Sequence, residues 1–134
     1  MKKQIQVVAG ILHNKNRYFA VQRGEAKFDY ICYKWEFPGG KIEIGENRED
    51  AIIRELKEEL NIEIQHPKFL ISVEHQYPDF EIVMHCFLIE FPFQPLSLSE
   101  HIAQRWLTKE ELWMVDWAAA DIPVVEYLMM KDIV

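Results

Sequence analysis

The chain has 134 residues, 49% apolar and 13% aromatic, which fits one folded domain and excludes a disordered composition. With 15 Lys and Arg against 22 Asp and Glu, its net charge of −7 excludes the counterion-release surface that a nucleic-acid polymer needs. A small nucleotide remains possible, because a bound metal reverses the sign of the local field.

The elements are expected in the following order. Gln4 to Leu12 is β-rich and reads as a strand. Lys2 and Lys3 precede it, but Val7 to Leu12 is too short for the apolar region of a signal peptide, and no small-residue cleavage site follows. No apolar run is long enough to span a bilayer. These features, with Cys32 and Cys86 as free thiols that form no CxxC pair, point to the cytoplasm and to no membrane partner. His13 to Arg17 is a turn and Tyr18 to Gln22 a second strand, making a hairpin. Arg23 to Lys34 reads as a surface loop. Trp35 to Phe37 is a short strand ending at Pro38-Gly39-Gly40, and Lys41 to Glu46 is a tight loop.

Asn47 to Leu60 reads as a helix that Asn61 stops. Phe69 to Gln76 and Ile82 to Phe91 are long strands around a Tyr77-Pro78-Asp79 turn. Pro92 to Glu100 is a loop and Ala103 to Leu107 a short strand. Thr108-Lys109-Glu110-Glu111 starts a short helix like a capping box, and Ile122 to Lys131 is a final helix with Asp121 as N-cap. Strands and helices mix without alternating, which predicts a single α+β domain over residues 1–134 with a mixed sheet and helices on its faces.

The chemistry concentrates on the first helix. At about 100° per residue, Ile52, Ile53, Leu56 and Leu60 share one side, and Glu55, Glu58 and Glu59 share another. Like charges at this spacing repel. A solvated acidic face is the common explanation of such a patch, and alone it would be preferred here. The preceding loop changes the balance. Gly39, Gly40 and Gly45 let the backbone approach a metal or a phosphate, and Arg54 is placed to pair with Glu46 and fix the loop on the helix. An oxygen-rich patch of this kind suits Mg²⁺.

Gly40, then Glu46, then Arg54-Glu55-Leu56-Lys57-Glu58-Glu59-Leu60-Asn61-Ile62 resembles the Nudix box. The preceding Trp35-Glu36-Phe37-Pro38-Gly39-Gly40-Lys41 resembles its MutT branch, which acts on nucleoside triphosphates. The likeness runs from the first strand to Ala120-Asp121-Ile122-Pro123, with one departure. Asn61 stands where the family usually has a left-handed Gly, and Asn is the next-best residue there.

The resemblance implies the Nudix α/β/α sandwich and places Mg²⁺ or Mn²⁺ on Glu55, Glu58 and Glu59, with the Gly39 carbonyl as a further ligand. Glu55 or Glu100 would take the proton from the attacking water, and Glu100 would also reach the metals. Arg23 and Lys41 would meet phosphate oxygens. Asp121 would face the base: an ionised Asp only accepts, which suits the N4 amino group of cytosine, although oxidised guanine also offers N–H donors. Trp35, Phe37, Tyr77, Phe80 and Trp106 include candidates for stacking on the base, and most are expected in the core. His75, His85 and His101 show no ligand spacing and read as structural.

The expected activity is hydrolysis of a nucleoside triphosphate, CTP, dCTP or a modified cytosine nucleotide, to the monophosphate and pyrophosphate, by a monomer or homodimer. Alternatives are an antimutator acting on 8-oxo-dGTP, a hydrolase of another nucleoside diphosphate derivative, and a non-catalytic sensor.

Overall fold

The computed structural model describes residues 2–131. Strand β1 (Lys3–Asn14) and β2 (Arg17–Gln22) form the expected hairpin. Lys15 and Asn16 between them both have positive φ, 46° and 65°, the two-residue geometry whose twist matches that of the paired strands. β1 is buried without interruption from Val7 to His13, as a strand covered on both faces must be.

The hairpin is a fork. β1 and β2 pair only at His13↔Tyr18 and Asn14↔Arg17. Beyond that point the free edge of β2 takes β3 (Trp35–Glu36), through Val21↔Glu36 and Gln22↔Trp35. The free edge of β1 takes β4 (Gly39–Lys41), through Val7↔Lys41, Val8↔Gly40 and Ala9↔Gly39. Phe37-Pro38 crosses the gap, and the Pro38 carbonyl accepts from the Gly10 N–H at 2.7 Å. The segment 35–41 therefore lies as a strap inside the sheet. This corrects the expected strand end at Pro38-Gly39-Gly40 and the expected loop from Lys41: Gly39–Lys41 is itself a strand. Gly39 packs so closely on β1 that a Cβ would collide with the Val8 carbonyl.

The seven-stranded sheet is completed by β5 (Lys68–Gln76), β6 (Phe80–Glu90) and β7 (Ala103–Thr108). β6 runs parallel to β1 and antiparallel to β5, while β7 pairs with β2, so the sheet is mixed as expected. Helix α1 (Arg48–Leu60) covers one face over a core of Val8, Leu12, Phe19, Val21, Ile52, Leu56 and Phe87. Helix α2 (Ile122–Met130) covers the other over Val7, Ala9, Ile11, Cys86, Leu107 and Leu128. Alternation of β1 side chains between these cores gives three layers, α/β/α.

Three local expectations change. Ile53 is 37% exposed, because Ala51, Ile52, Leu56 and Leu60 already fill the stripe facing the sheet. The turn after Thr108 is a 3-10 helix over Lys109–Met114, although Glu111 accepts from the Thr108 N–H at 2.8 Å as a capping box requires. Asp121 makes no side-chain cap on α2, since its carboxylate is engaged elsewhere. Among the described residues no helix is long and apolar enough to cross a membrane.

Candidate active site

The site forms where the strap meets the last two turns of α1. The helix is well delimited. Asn47 caps its start, accepting from the Asp50 N–H at 2.8 Å, and Asn61 ends it in the left-handed region at φ 54°, its N–H reaching the carbonyls of Leu56 and Lys57. Asn61 thus adopts the left-handed conformation expected at this position.

Arg54 is the fastener. Its Nε and Nη2 donate to the two oxygens of Glu46 at 2.7 and 2.9 Å, a bidentate fork, and Nη2 also donates to the Lys41 carbonyl at 3.0 Å. This is the loop-to-helix tie expected from sequence. It holds the Glu46 carboxyl down at about 2. The same guanidinium reaches further: Nη1 donates to Glu55 at 2.8 Å and to Glu58 at 3.2 Å. With Arg54 on two of the three box carboxylates, no group of three or more His, Cys, Asp or Glu among the described residues stands in ready ligand geometry.

The residues nevertheless fit a hard divalent cation. The donors are carboxylate oxygens. Glu55 lies so close to Gly40 that any Cβ there would overlap its carboxylate. Burial raises the proton affinity of Glu55, with Arg54 opposing and the charges of Glu58 and Glu100 adding to the rise. Glu59 is only 9% exposed and accepts from the Gly39 N–H at 3.0 Å. Burial, against the opposing charge of His101 and with the repulsion of Glu36 and Glu55, pushes it up to about 7. Clustered carboxylates, two of them desolvated and sharing the single Arg54 guanidinium and His101 as cationic neighbours, are further stabilised by a cation. Glu58 and Glu100 are exposed at the rim.

A second cluster, which the sequence did not reveal, adjoins the first. Glu36, at the end of β3, accepts from Arg23 Nη2 at 3.0 and 3.2 Å. His101 Nε2 lies 2.8 Å from Glu36 Oε2, the oxygen that Arg23 meets at 3.2 Å, and His101 Nδ1 lies 3.7 Å from Glu59. His101 and Arg23 together overcome the burial of Glu36 and lower its proton affinity. His101 is thus placed between two acids, Glu36 and Glu59. Its partners are 65 and 42 positions away in sequence, so no spacing reveals them. His85 does conform: it bonds Ser72 and Gln6 on the sheet.

At the far end of the strap, Asp121 is 4% exposed and accepts from the Phe37 N–H at 3.0 Å. Burial, and next the charge of Glu36, raise its proton affinity well above the ordinary carboxylate range. Among the described residues no fully buried side-chain nitrogen or oxygen lacks a hydrogen-bond partner. Phe37 corrects the stacking expectation: its ring is 3% exposed and stacked on Trp117 at 4.7 Å, and it serves the site through its backbone N–H. Trp106 packs against Phe19 on the α1 side and donates to the Gln94 carbonyl, away from Asp121. The Lys41 side chain is exposed, and Arg23 keeps 46% of its side-chain surface open.

Comparison with known proteins gives a consistent picture. The NUDIX domain model matches residues 2–128. The chain is 35% identical over 127 residues to the 8-oxo-dGTP diphosphatase of Escherichia coli (strain K12), covering 94% of this chain and 97% of that protein. It is 35% identical over 127 residues to the CTP pyrophosphohydrolase of the same organism, covering 95% and 93%. The solution structure of the E. coli ORF135 protein superposes with a TM-score of 0.81 at 34% identity, over 96% of this chain and 91% of that one.

Proposed function

The chain belongs to the Nudix family, and on that premise we propose that it is a MutT-like pyrophosphohydrolase that splits a nucleoside triphosphate into the monophosphate and pyrophosphate. One observation carries this reading. The strap at 35–41 presents its backbone N–H groups to two buried acids at once, Glu59 beside the box carboxylates and Asp121 on the α2 side of the sheet. Reacting phosphates and base are thereby held by one rigid segment.

Mg²⁺ or Mn²⁺ is the metal proposed, held by Glu55, Glu58 and Glu59 with Glu100 at the rim. It would supply neutralisation of phosphate oxygens and acidification of a water. The chain's own part is orientation and proton transfer. Arg23, half open and braced by Glu36, and Lys41, exposed on the strap, meet phosphate oxygens. The water oxygen bonds to phosphorus, the bridging P–O bond breaks, and the water's proton goes to a carboxylate. Glu55 is favoured for that proton because burial already raises its affinity; Glu100 is the second candidate.

The base is read by Asp121. In its ionised form it accepts from the N4 amino group of cytosine, which supports CTP, dCTP or a modified cytosine nucleotide. The surroundings of Asp121 favour a second reading. As the neutral acid it also donates an O–H, which suits a base carbonyl such as that of 8-oxo-dGTP. A panel of CTP, dCTP, 5-methyl-dCTP, dGTP and 8-oxo-dGTP, followed by pyrophosphate release with Mg²⁺, separates the two. A sensor without activity would release none from any member.

A further inference from the structure

We propose that His101 is a positioning residue that braces the substrate arginine and the buried box carboxylate against each other. Its ring is wedged between Glu36 and Glu59, with only 5% of the side chain exposed. Glu36 is ionised, and a carboxylate only accepts, so His101 Nε2 carries the donated proton in the 2.8 Å contact. That bond fixes Glu36 Oε2, and the same carboxylate holds Arg23 Nη2 at 3.0 Å through Oε1 and 3.2 Å through Oε2. On its opposite side the ring abuts Glu59 Oε1 at 3.7 Å, while Glu59 Oε2 is held by the Gly39 N–H at 3.0 Å. Arg23, Glu36, His101 and Glu59 thus form one continuous line from the strap edge to the helix.

The same wedge places a loop. Ser99 N–H donates to the Glu59 carbonyl at 3.2 Å and Ile102 N–H to the Gln22 carbonyl at 2.9 Å, so the chain is tied down on both sides of His101. Glu100 lies between these ties and next to the wedge, and its charge is felt at Glu55. A surface loop with one buried imidazole bridging two acids from different elements has its register set by that ring. His101 therefore sets where Glu100 stands relative to Glu55, besides steadying Arg23.

The inference rests on the metal reading of the box, and its test separates the two. Mn²⁺ affinity is measured by magnetic resonance titration without substrate, together with kcat, KM and the melting point, for wild type, His101→Ala, His101→Gln and Glu36→Gln. Loss of a group that orients metal ligands costs roughly tenfold or more in metal affinity. His101→Ala is expected to weaken Mn²⁺ about tenfold and to raise KM through the released Arg23. His101→Gln, which keeps a donor for Glu36, is expected to restore much of the KM. The effects of His101→Ala and Glu36→Gln on KM should be less than additive, since both act on one line. Wild-type Mn²⁺ affinity and KM in His101→Ala, with only the melting point lowered, would overturn the positioning role and leave the metal site standing. No Mn²⁺ binding by the wild type would overturn both.

Discussion

Glu59 and Asp121 are the same kind of group in the same kind of place, and they differ in what lies beyond them. Each is a buried acid, each accepts one backbone N–H from the strap, at Gly39 for Glu59 and at Phe37 for Asp121, and each has its proton affinity raised chiefly by burial. Glu59 stands on the α1 side among Glu55, Glu58 and Glu100, where a cation can compensate it. Asp121 stands on the α2 side, where the Phe37 N–H and the charge of Arg23 oppose its rise. Under the proposed function the same backbone anchoring serves two chemistries, and the surroundings of each acid decide which.

The largest effect expected from breaking this comparison is on turnover. Glu59→Gln keeps an acceptor for the Gly39 N–H but removes the charge. Pyrophosphate release should fall by at least about a hundredfold, the scale of a lost electrostatic stabiliser, with the circular dichroism spectrum unchanged. Glu58→Gln should do the same, and normal turnover in either would refute the metal assignment.

Asp121→Asn, by contrast, keeps the strap bond and the chemistry but changes what the second atom offers. The ratio of kcat/KM values across the base panel should move by roughly tenfold or more, within the range of about 1–3 kcal/mol for a misread base edge. A uniform loss for all bases would show that Asp121 only supports the strap.

Stability against pH sharpens the comparison further. The folded state binds the Glu59 proton up to about 7, whereas an ordinary glutamate releases it near 4.5. Its contribution to folding is therefore complete below about 4.5 and is lost as pH rises through about 7. Without metal, Glu59→Gln should melt above the wild type at pH 8, and the gap should close on acidification. Asp121→Asn should show the same sign. Adding Mg²⁺ at pH 8 should close the gap for Glu59 and leave that for Asp121, in parallel thermal melts.

The smallest effect concerns the helix stop. Asn61→Gly should be near neutral in stability. Asn61→Ala, forced to φ 54°, should cost about 1 kcal/mol in a denaturant titration.

Much of this was legible in the chain because it is local. The box helix, its Arg54–Glu46 tie, the left-handed Asn61 and the hairpin all depend on neighbours no more than eight residues away. What stayed hidden is what folding brings from far away. The Gly39–Lys41 strand exists only because β1 and β2 diverge and leave an edge to fill, which no pattern in Gly-Gly-Lys encodes. Ile53 fits a helical stripe by angle, but Ala51 and Ile52 occupy the space. Asp121 looks like an N-cap, and the Phe37 N–H competes for it from 84 positions away. The Glu36–His101 contact is of the same kind.

The most direct test of the account is pyrophosphate release from the five-member nucleotide panel with and without Mg²⁺, wild type beside Glu59→Gln. The account predicts metal-dependent release by the wild type from at least one member and none above background by Glu59→Gln. Equal release by both proteins, or none by the wild type from any member, would contradict it.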